Sequence, residues 1–351
     1  LAESGKLHFM AWTTTPWTLP SNTALTVGAK IEYCAIQTFN PYTADPQTVI
    51  IAKPLAQKYF KPDGAEAEMT YSSSDKLLPY RVLKTFLGSE LIGLRYEQLL
   101  PYTQPLRDAD KAFQVIAGDF VTTEDGTGIV HTAPTFGADD MQVAKAAGVP
   151  PMLVENENGD PVPLVDMRGR FVNQVNDLIW GLAGEPVKAE YMSPEEKEAE
   201  FEKQKVRLKE HIPNLGNYLS VDERISLKLK LEGKAFKVEK YQHNYPHCWR
   251  TDKPILYYPL DSWFIKSTAV KDKMIELNNT INWKPASTGQ GRFGNWLENL
   301  NDWNLSRSRY WGTPLPIWRT GPYGPLMAEC VGAIEEFTEK NAYFITEECV
   351  D

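Results

Sequence analysis

The sequence predicts an α+β fold: an antiparallel β-barrel, closed or nearly closed, with peripheral helices, followed by a compositionally different second segment. Three observations predict it. The first part of the chain runs in short apolar stretches broken by Gly, Pro and polar turns, with few segments of helical period. A highly charged, helix-prone stretch of about 186–225 interrupts that pattern. Seven of the ten tryptophans lie beyond residue 245, which sets the expected boundary between domains 1–245 and 246–351. A chain of 351 residues is longer than one core ordinarily fills, and 42% hydrophobic residues suffice for two.

In chain order, Leu7-His8-Phe9-Met10-Ala11-Trp12 alternates with a period of two and reads as a half-buried strand. Strand-like runs over 23–27 and 31–38 are broken by Gly28, a polar turn covers 40–46, and 48–52 is another strand. Residues 54–60 read as a short helix, 61–75 as a polar loop, and parts of 80–100 and 113–115 as further short strands. Asp125-Gly126, between strand-like runs at 120–123 and 128–133, predicts a hairpin. Asp139 is the expected N-cap of a helix over about 140–147, closed by Gly148 with Pro150 beyond. Residues 151–188 read as loop and strand with a short helix at 175–180. Ser193-Pro194 then opens the charged stretch, with proline at the first helical position, and the insertion reads as a hairpin of helices.

Two motifs carry chemistry. In Trp12-Thr13-Thr14-Thr15-Pro16-Trp17-Thr18-Leu19-Pro20-Ser21-Asn22, three hydroxyls precede a proline. The residue before proline is driven toward extended backbone, so the threonines project alternately and form a short rail of hydrogen-bonding groups beside an aromatic wall. Threonine also favours strands for packing reasons alone. The second motif, Gly126-Thr127-Gly128-Ile129-Val130-His131-Thr132-Ala133-Pro134, leads into Gly137-Ala138-Asp139-Asp140. It sets His131 late on a strand and Asp140 in the first turn of a helix. A first-turn carboxylate complements the helix dipole without further purpose. Two in succession need only one cap, however, and the second is expected to be held ionised by the helix amides, the state that grips an ammonium group. A histidine alone is more often a satisfied core imidazole. A Ser-His-Asp hydrolase is the rival reading, but the chain has no Gly-x-Ser-x-Gly elbow.

The first motif resembles the signature of the editing domain of isoleucyl-tRNA synthetases; valyl and leucyl relatives usually carry arginine before the proline and an acidic residue after it, where this chain has Thr15 and Trp17. The second motif is similar to the editing domains of all three. Tyr245-Pro246-His247-Cys248-Trp249-Arg250, Asp261-Ser262-Trp263-Phe264 and the run from Asn301 to Pro314 resemble the return of the same synthetases into their catalytic domain, with Thr251 where many relatives have cysteine. The resemblance implies hydrolysis of the ester of mischarged Val-tRNA(Ile), sparing Ile-tRNA(Ile). Asp140 would bind the α-amino group, His131 would contact the terminal ribose or the ester, Thr13, Thr14 and Thr15 would position water, and Trp12 or Trp17 would wall the side-chain slot. It implies a tRNA(Ile) 3′ acceptor end and an aminoacyl ester as partners, and no cofactor for editing. The family's His-Ile-Gly-His-type and Lys-Met-Ser-Lys-Ser elements, which serve ATP and Mg in the full-length enzyme, do not occur, so 246–351 is expected to be an incomplete Rossmann-type catalytic segment of an internal fragment. The alternative is a noncatalytic tRNA-binding or interaction module.

Composition narrows the remaining classes. The net charge of −9 does not mark a nucleic-acid binder, although ten Lys and Arg stand between Lys203 and Lys240 against five acidic residues. Such a run is either a solvated helix face or a tRNA contact. Cys34, Cys248, Cys330 and Cys349 have no paired spacing, which argues against disulfides and a zinc site, and His243-x-x-x-His247-Cys248 lacks a partner pair. Gly289-Gln290-Gly291-Arg292-Phe293-Gly294 matches a dinucleotide fingerprint, but no strand feeds it, and it reads as a flexible loop. Neither a signal-like segment nor a run long enough to span a bilayer appears, so the expected setting is soluble and cytoplasmic, with no metal and no membrane.

Overall fold

The computed structural model describes residues 6–242, 244–260 and 262–307, with backbone alone at residue 6, 319–320 and 343–344. It comprises two compact units, Leu1–Pro259 and Leu260–Asp351. The first reaches past the boundary expected near 245, because Leu256 and Tyr258 pack on its core and Pro254 accepts a hydrogen bond from Tyr191 at 2.7 Å.

In the first unit the alternating stretches become strands β1 (Lys6–Phe9), β2 (Ala24–Val27), β3 (Glu32–Phe39), β4 (Pro46–Ala52), β5 (Arg81–Leu87), β6 (Gln114–Ala117) and β7 (Ile129–Thr132). They form a four-stranded sheet of order β1-β4-β3-β5 and a three-stranded sheet of order β6-β2-β7. The expected antiparallel barrel is corrected in two respects. The β1–β4 and β2–β6 pairs are parallel, and the described strands do not close. Between the sheets the ladder gives way to irregular contacts: Trp12 bridges Val130, and the segment after β5 bonds to β6 through Gly93 N to Val115 O at 2.9 Å. Pro16 and Pro20 are the reason on one side, since they divert the chain after Trp12 into a 3₁₀ helix, Pro16–Ser21. Both sheets bury their apolar faces in one cluster that includes Val27, Tyr33, Ile36, Ile50, Ile51, Val115 and Ile129, each side chain contributing about 1.5–3 kcal/mol.

The hairpin expected at Asp125-Gly126 does not form. The antiparallel partner of β7 is β2, with Leu25 opposite His131, and 120–123 is not a strand. Asp125 is instead pinned sideways by Lys58 and Tyr241, and Gly126 and Gly128 both adopt positive φ. Helix α1 (Ala138–Ala146) starts two residues earlier than expected, with Gly137 rather than Asp139 as N-cap and both aspartates in its first turn. Helices α2 (Pro194–Arg207) and α3 (Val221–Leu231) each begin at a serine whose side chain accepts the N3 amide, while the N3 glutamate returns the bond. The expected helix at 175–180 is a set of turns, because Asp177 Oδ1 accepts the N–H of Trp180 and closes the chain on itself.

The helical hairpin is part of a second core. Leu208, Val221, Ile225 and Leu229 pack with Trp17, Leu19, Phe136, Met152, Leu164 and Trp180. Gln204 clasps the backbone of Leu219 through both amide atoms, at 3.0 and 2.9 Å. Arg224, with no exposed side chain, donates to Trp180 O, Gly181 O and Glu185 Oε2 at 2.8, 2.6 and 2.8 Å and lies 3.7 Å from Glu200. Much of the basic run is thus paired internally: Lys203 and Arg207 meet Glu200, Lys205 meets Glu202, and Lys228 meets Asp177 and Glu232.

In the second unit the described residues form helices of 271–280, 287–290 and 292–298 and the antiparallel pairs Phe264–Ile265 with Trp303–Asn304 and Arg319–Thr320 with Tyr343–Phe344. The Gly289 to Gly294 run is mostly helical, not a loop, with Gly289 packed against Trp283 and its carbonyl held by Asn278 Nδ2 at 3.0 Å. No parallel sheet of a Rossmann-type segment occurs among the described residues. His243, Cys330, Cys349 and most of 308–351 lie outside them.

Removing the Arg224 guanidinium leaves the carboxylates of Glu185 and Glu200 buried with less compensation. Arg224→Ala is therefore expected to lower the unfolding free energy of the first unit by about 3 kcal/mol. Urea denaturation at neutral pH measures this, and a loss below about 1 kcal/mol would count against the buried network as a support.

Candidate functional site

A cleft of about 340 Å³ opens between the segment after β1, strand β7 and the start of α1, and its lining includes Trp12, Thr13, Thr14, Thr15, His131 and Asp140. The two motifs, more than a hundred residues apart, are therefore brought together. The β2–β7 register does this: His131 lies opposite Leu25 and Thr132 opposite Ala24, so the chain entering β2 and the chain leaving β7 share one end of the sheet. Trp17 is the exception among the expected residues. Its ring is 3% exposed, packs edge-on against Phe136 with centroids 5.0 Å apart, and does not line the cleft.

The three threonines line the cleft together, but the stretched, alternating rail expected from the sequence is corrected: the backbone bends at Thr14 and is locked locally. Thr15 N–H donates to Thr13 Oγ1 at 3.0 Å, and the Thr13 and Thr15 hydroxyls stand 3.5 Å apart on one side of the backbone. Thr18, one turn into the 3₁₀ helix, donates both its N–H and its hydroxyl to Thr15 O, at 3.0 and 2.9 Å.

His131 is buried and held from both ring nitrogens. Asn22 Nδ2 sits 2.8 Å from Ala24 O, 3.3 Å from Thr132 O and 2.8 Å from His131 Nδ1, while Asn22 Oδ1 accepts from Tyr96 Oη at 2.6 Å. Carbonyls only accept, so the amide face toward them is the NH₂, and His131 Nδ1 must be an acceptor. The ring proton is then on Nε2, which donates to Thr18 Oγ1 at 3.0 Å. Burial pushes the imidazole pKa down to about 4. His131 is a neutral, oriented ring and not a free base. Asn22, Thr18 and Tyr96 were not singled out as functional by sequence reasoning; the Thr15/Thr18 spacing was the available signal for Thr18, and nothing local marks Tyr96.

Asp140 accepts the N–H of Ala133 through Oδ2 at 2.8 Å, which ties α1 to the end of β7. Gly137 permits the approach, since a Cβ there would come 2.9 Å from Asp140 Cγ. Burial raises the carboxyl pKa despite the Ala133 amide, and Asp139 raises it further. The expectation that helix amides hold it ionised is thus reversed in direction: desolvation outweighs the hydrogen bond. No cation pairs with it among the described residues.

Trp12 closes one wall. Its N–H donates to Ile129 O at 3.3 Å, a Cβ on Gly126 would stand 3.0 Å from its ring, and Tyr241 meets it edge-on at 5.3 Å. Tyr241 also donates to Asp125 Oδ2 at 2.7 Å; with Gly126 N–H and Lys58 this holds the Asp125 carboxyl below the usual range. No group of three or more His, Cys, Asp or Glu among the described residues could hold a metal ion, and no helix of the described chain is long and apolar enough to cross a membrane.

Because its pKa falls from 6.5 to about 4 on folding, His131 binds a proton more readily in the unfolded chain. Its contribution to stability is complete above pH 6.5 and is lost as pH falls toward 4, by roughly 3 kcal/mol over that window. An imidazole NMR titration is expected to give a His131 midpoint near 4; a midpoint between 6 and 7 would overturn the assignment of a buried neutral ring.

Residues 1–347 match the family model for class I tRNA synthetases (I, L, M and V). The chain is 60% identical over 330 residues to the isoleucine–tRNA ligase of Cytophaga hutchinsonii, covering 94% of this chain and 28% of that protein. It is 54% identical over 341 residues to that of Bacteroides fragilis (96% and 28%) and 39% identical over 333 residues to that of Clostridium tetani (95% and 25%). The chain thus spans little more than a quarter of the length of the curated relatives it matches. Among solved structures it is similar to the P. knowlesi cytosolic leucyl-tRNA synthetase editing domain (16% identity, TM-score 0.31, 42% of this chain and 53% of that one) and to the P. falciparum one (16%, 0.29, 40% and 46%), scores too low to bear on the fold. The extent of the family match and the high identity to isoleucine–tRNA ligases lead to one conclusion: the chain belongs to the class I tRNA synthetases, on the isoleucyl side of that family.

Proposed function

We propose that this chain carries the post-transfer editing site of an isoleucyl-tRNA synthetase and hydrolyses the ester of Val-tRNA(Ile) while sparing Ile-tRNA(Ile). The observation that carries the reading is Asp140: a partly buried carboxylate on the cleft, tied by one oxygen to Ala133 N–H, with no counter-cation among the described residues. Such a group is costly to hold ionised without a cation, and the α-ammonium of an aminoacyl ester supplies one. Binding of that ammonium group favours the charged form of the carboxyl.

Water attacks the ester carbonyl carbon, the bond to the ribose oxygen breaks, and that oxygen takes the proton the water gives up; the products are free valine and the tRNA 3′ hydroxyl. No protein nucleophile is required. Thr13, Thr14 and Thr15 act by orienting the water and the carbonyl, a contribution of position rather than of acidity. His131, neutral and with Nε2–H engaged by Thr18, contacts the terminal ribose as a shaped wall and does not remove a proton. Trp12, braced by Gly126 and Tyr241, limits the side-chain slot. The need for a second sieve follows from energetics: one missing methylene is worth only about 1–3 kcal/mol in a first pocket, so rejection by size must be repeated.

Hydrolysis by this route needs no cofactor, takes the tRNA(Ile) 3′ acceptor end as its partner and belongs in the cytoplasm, where charged tRNA is made. The test is deacylation of Val-tRNA(Ile) and Ile-tRNA(Ile) side by side. Fast release of valine only is expected, with Asp140→Ala and Asp140→Asn each reducing it on the order of a hundredfold, as removal of one partner of a desolvated ion pair does. Release from neither ester would leave a noncatalytic tRNA-binding module as the better description, and full activity in Asp140→Ala would move the amino-group anchor elsewhere.

A further inference from the structure

The 3₁₀ helix that follows the threonine rail needs an acceptor from outside. Pro16 has no N–H, and Thr18 N–H goes to Thr15 O at 3.0 Å. The N–H of Trp17 lies between them. It donates to Asp222 Oδ1 at 2.8 Å, 205 residues further along the chain. The other oxygen of Asp222 stands 3.5 Å from Lys188 Nζ, whose ammonium lies over the Tyr245 ring at 4.7 Å and the Trp17 ring at 5.9 Å. Asp222 is itself on a rigid post. Helix α3 is closed at its start by the reciprocal Ser220–Glu223 bonds, buries Val221 and Ile225, and is held by Arg224 to the 180–185 turn.

We propose that Asp222 is a positioning residue for the cleft, capping the 3₁₀ helix from the helical hairpin and so setting where the Thr13 and Thr15 hydroxyls stand relative to His131 and Asp140. The coupling is short. Trp17 sits between Thr15, whose carbonyl takes both Thr18 donors, and Thr18, whose hydroxyl takes His131 Nε2–H. A carboxylate suits the place because the first N–H groups of a helix carry partial positive charge. The inference rests on the hydrolytic reading above and gives the charged insertion a part in that chemistry, distinct from contact with tRNA.

The experiment measures kcat and KM for Val-tRNA(Ile) deacylation, with thermal melting of each variant. Asp222→Ala is expected to lower kcat at least tenfold with KM within about twofold, since displacement of an orienting group by about 1 Å costs up to a hundredfold. Asp222→Asn, which keeps an oxygen for Trp17 N–H, is expected to recover most of that loss. Lys228→Met removes the partly buried ion pairs of α3 with Asp177 and Glu232, and is expected to lower the melting temperature while leaving kcat unchanged. If Asp222→Ala does not fold, Asp222→Glu decides: it keeps charge and acceptor but extends the side chain by about 1.5 Å, and is expected to lower kcat. Parent kcat in the folded Ala variant, or in the Glu variant, overturns the inference while the hydrolytic reading stands. Losses that track melting temperature equally in the Asp222 and Lys228 variants also overturn it. An unsubstituted chain that hydrolyses neither ester overturns the hydrolytic reading, and this inference with it.

Discussion

The arrangement of the cleft depends on one side-chain amide. Asn22 turns its NH₂ to two backbone carbonyls, Ala24 O and Thr132 O, on the two strands that meet there. That choice forces His131 Nδ1 to accept, puts the ring proton on Nε2, directs it to Thr18 and leaves the Thr18 hydroxyl to bind Thr15 O. Each donor in the series is committed before any ligand arrives. Networks of this kind are stable in a low-dielectric interior only when every member is satisfied, and this one is closed at its far end by Tyr96 on Asn22 Oδ1. The result is a histidine that shapes and does not titrate near neutrality.

Asp140 is built on the opposite principle. It gains one amide and is otherwise left in a desolvated place beside a second aspartate, so its charge is incompletely compensated. A fold does not ordinarily keep such a group on a cleft wall without a use for it. The two residues differ in their surroundings: His131 is held at both ring nitrogens and neutral, while Asp140 has one amide partner and no cation among the described residues. They lie nine residues apart, His131 buried and Asp140 half-buried, so the contrast comes from what packs around each.

The helical hairpin shows why a run of charge is a poor guide by itself. Its cations are largely matched by carboxylates on the hairpin and on the 177–185 turns, and Arg224 is buried outright. A buried ion pair adds little net stability compared with apolar packing, while breaking one by removing a partner is costly. Here the hairpin places Asp222 against the first turn of the 3₁₀ helix.

What the sequence by itself determined is local. Pro16 set the start of the 3₁₀ helix, Ser193 and Pro194 marked the start of α2, Gly148 ended α1, and the order of the threonine rail, His131 and Asp140 was readable from two motifs. These follow from steric and hydrogen-bonding rules that act within a few residues. Tertiary structure alone decided the rest. It paired β7 with β2 in place of a local hairpin, left the two sheets unclosed, buried Trp17 beneath the cleft and brought Asp222 to its N–H from across the chain. It also reversed the direction in which Asp140 shifts, because desolvation depends on everything packed around a group and not on its neighbours in sequence.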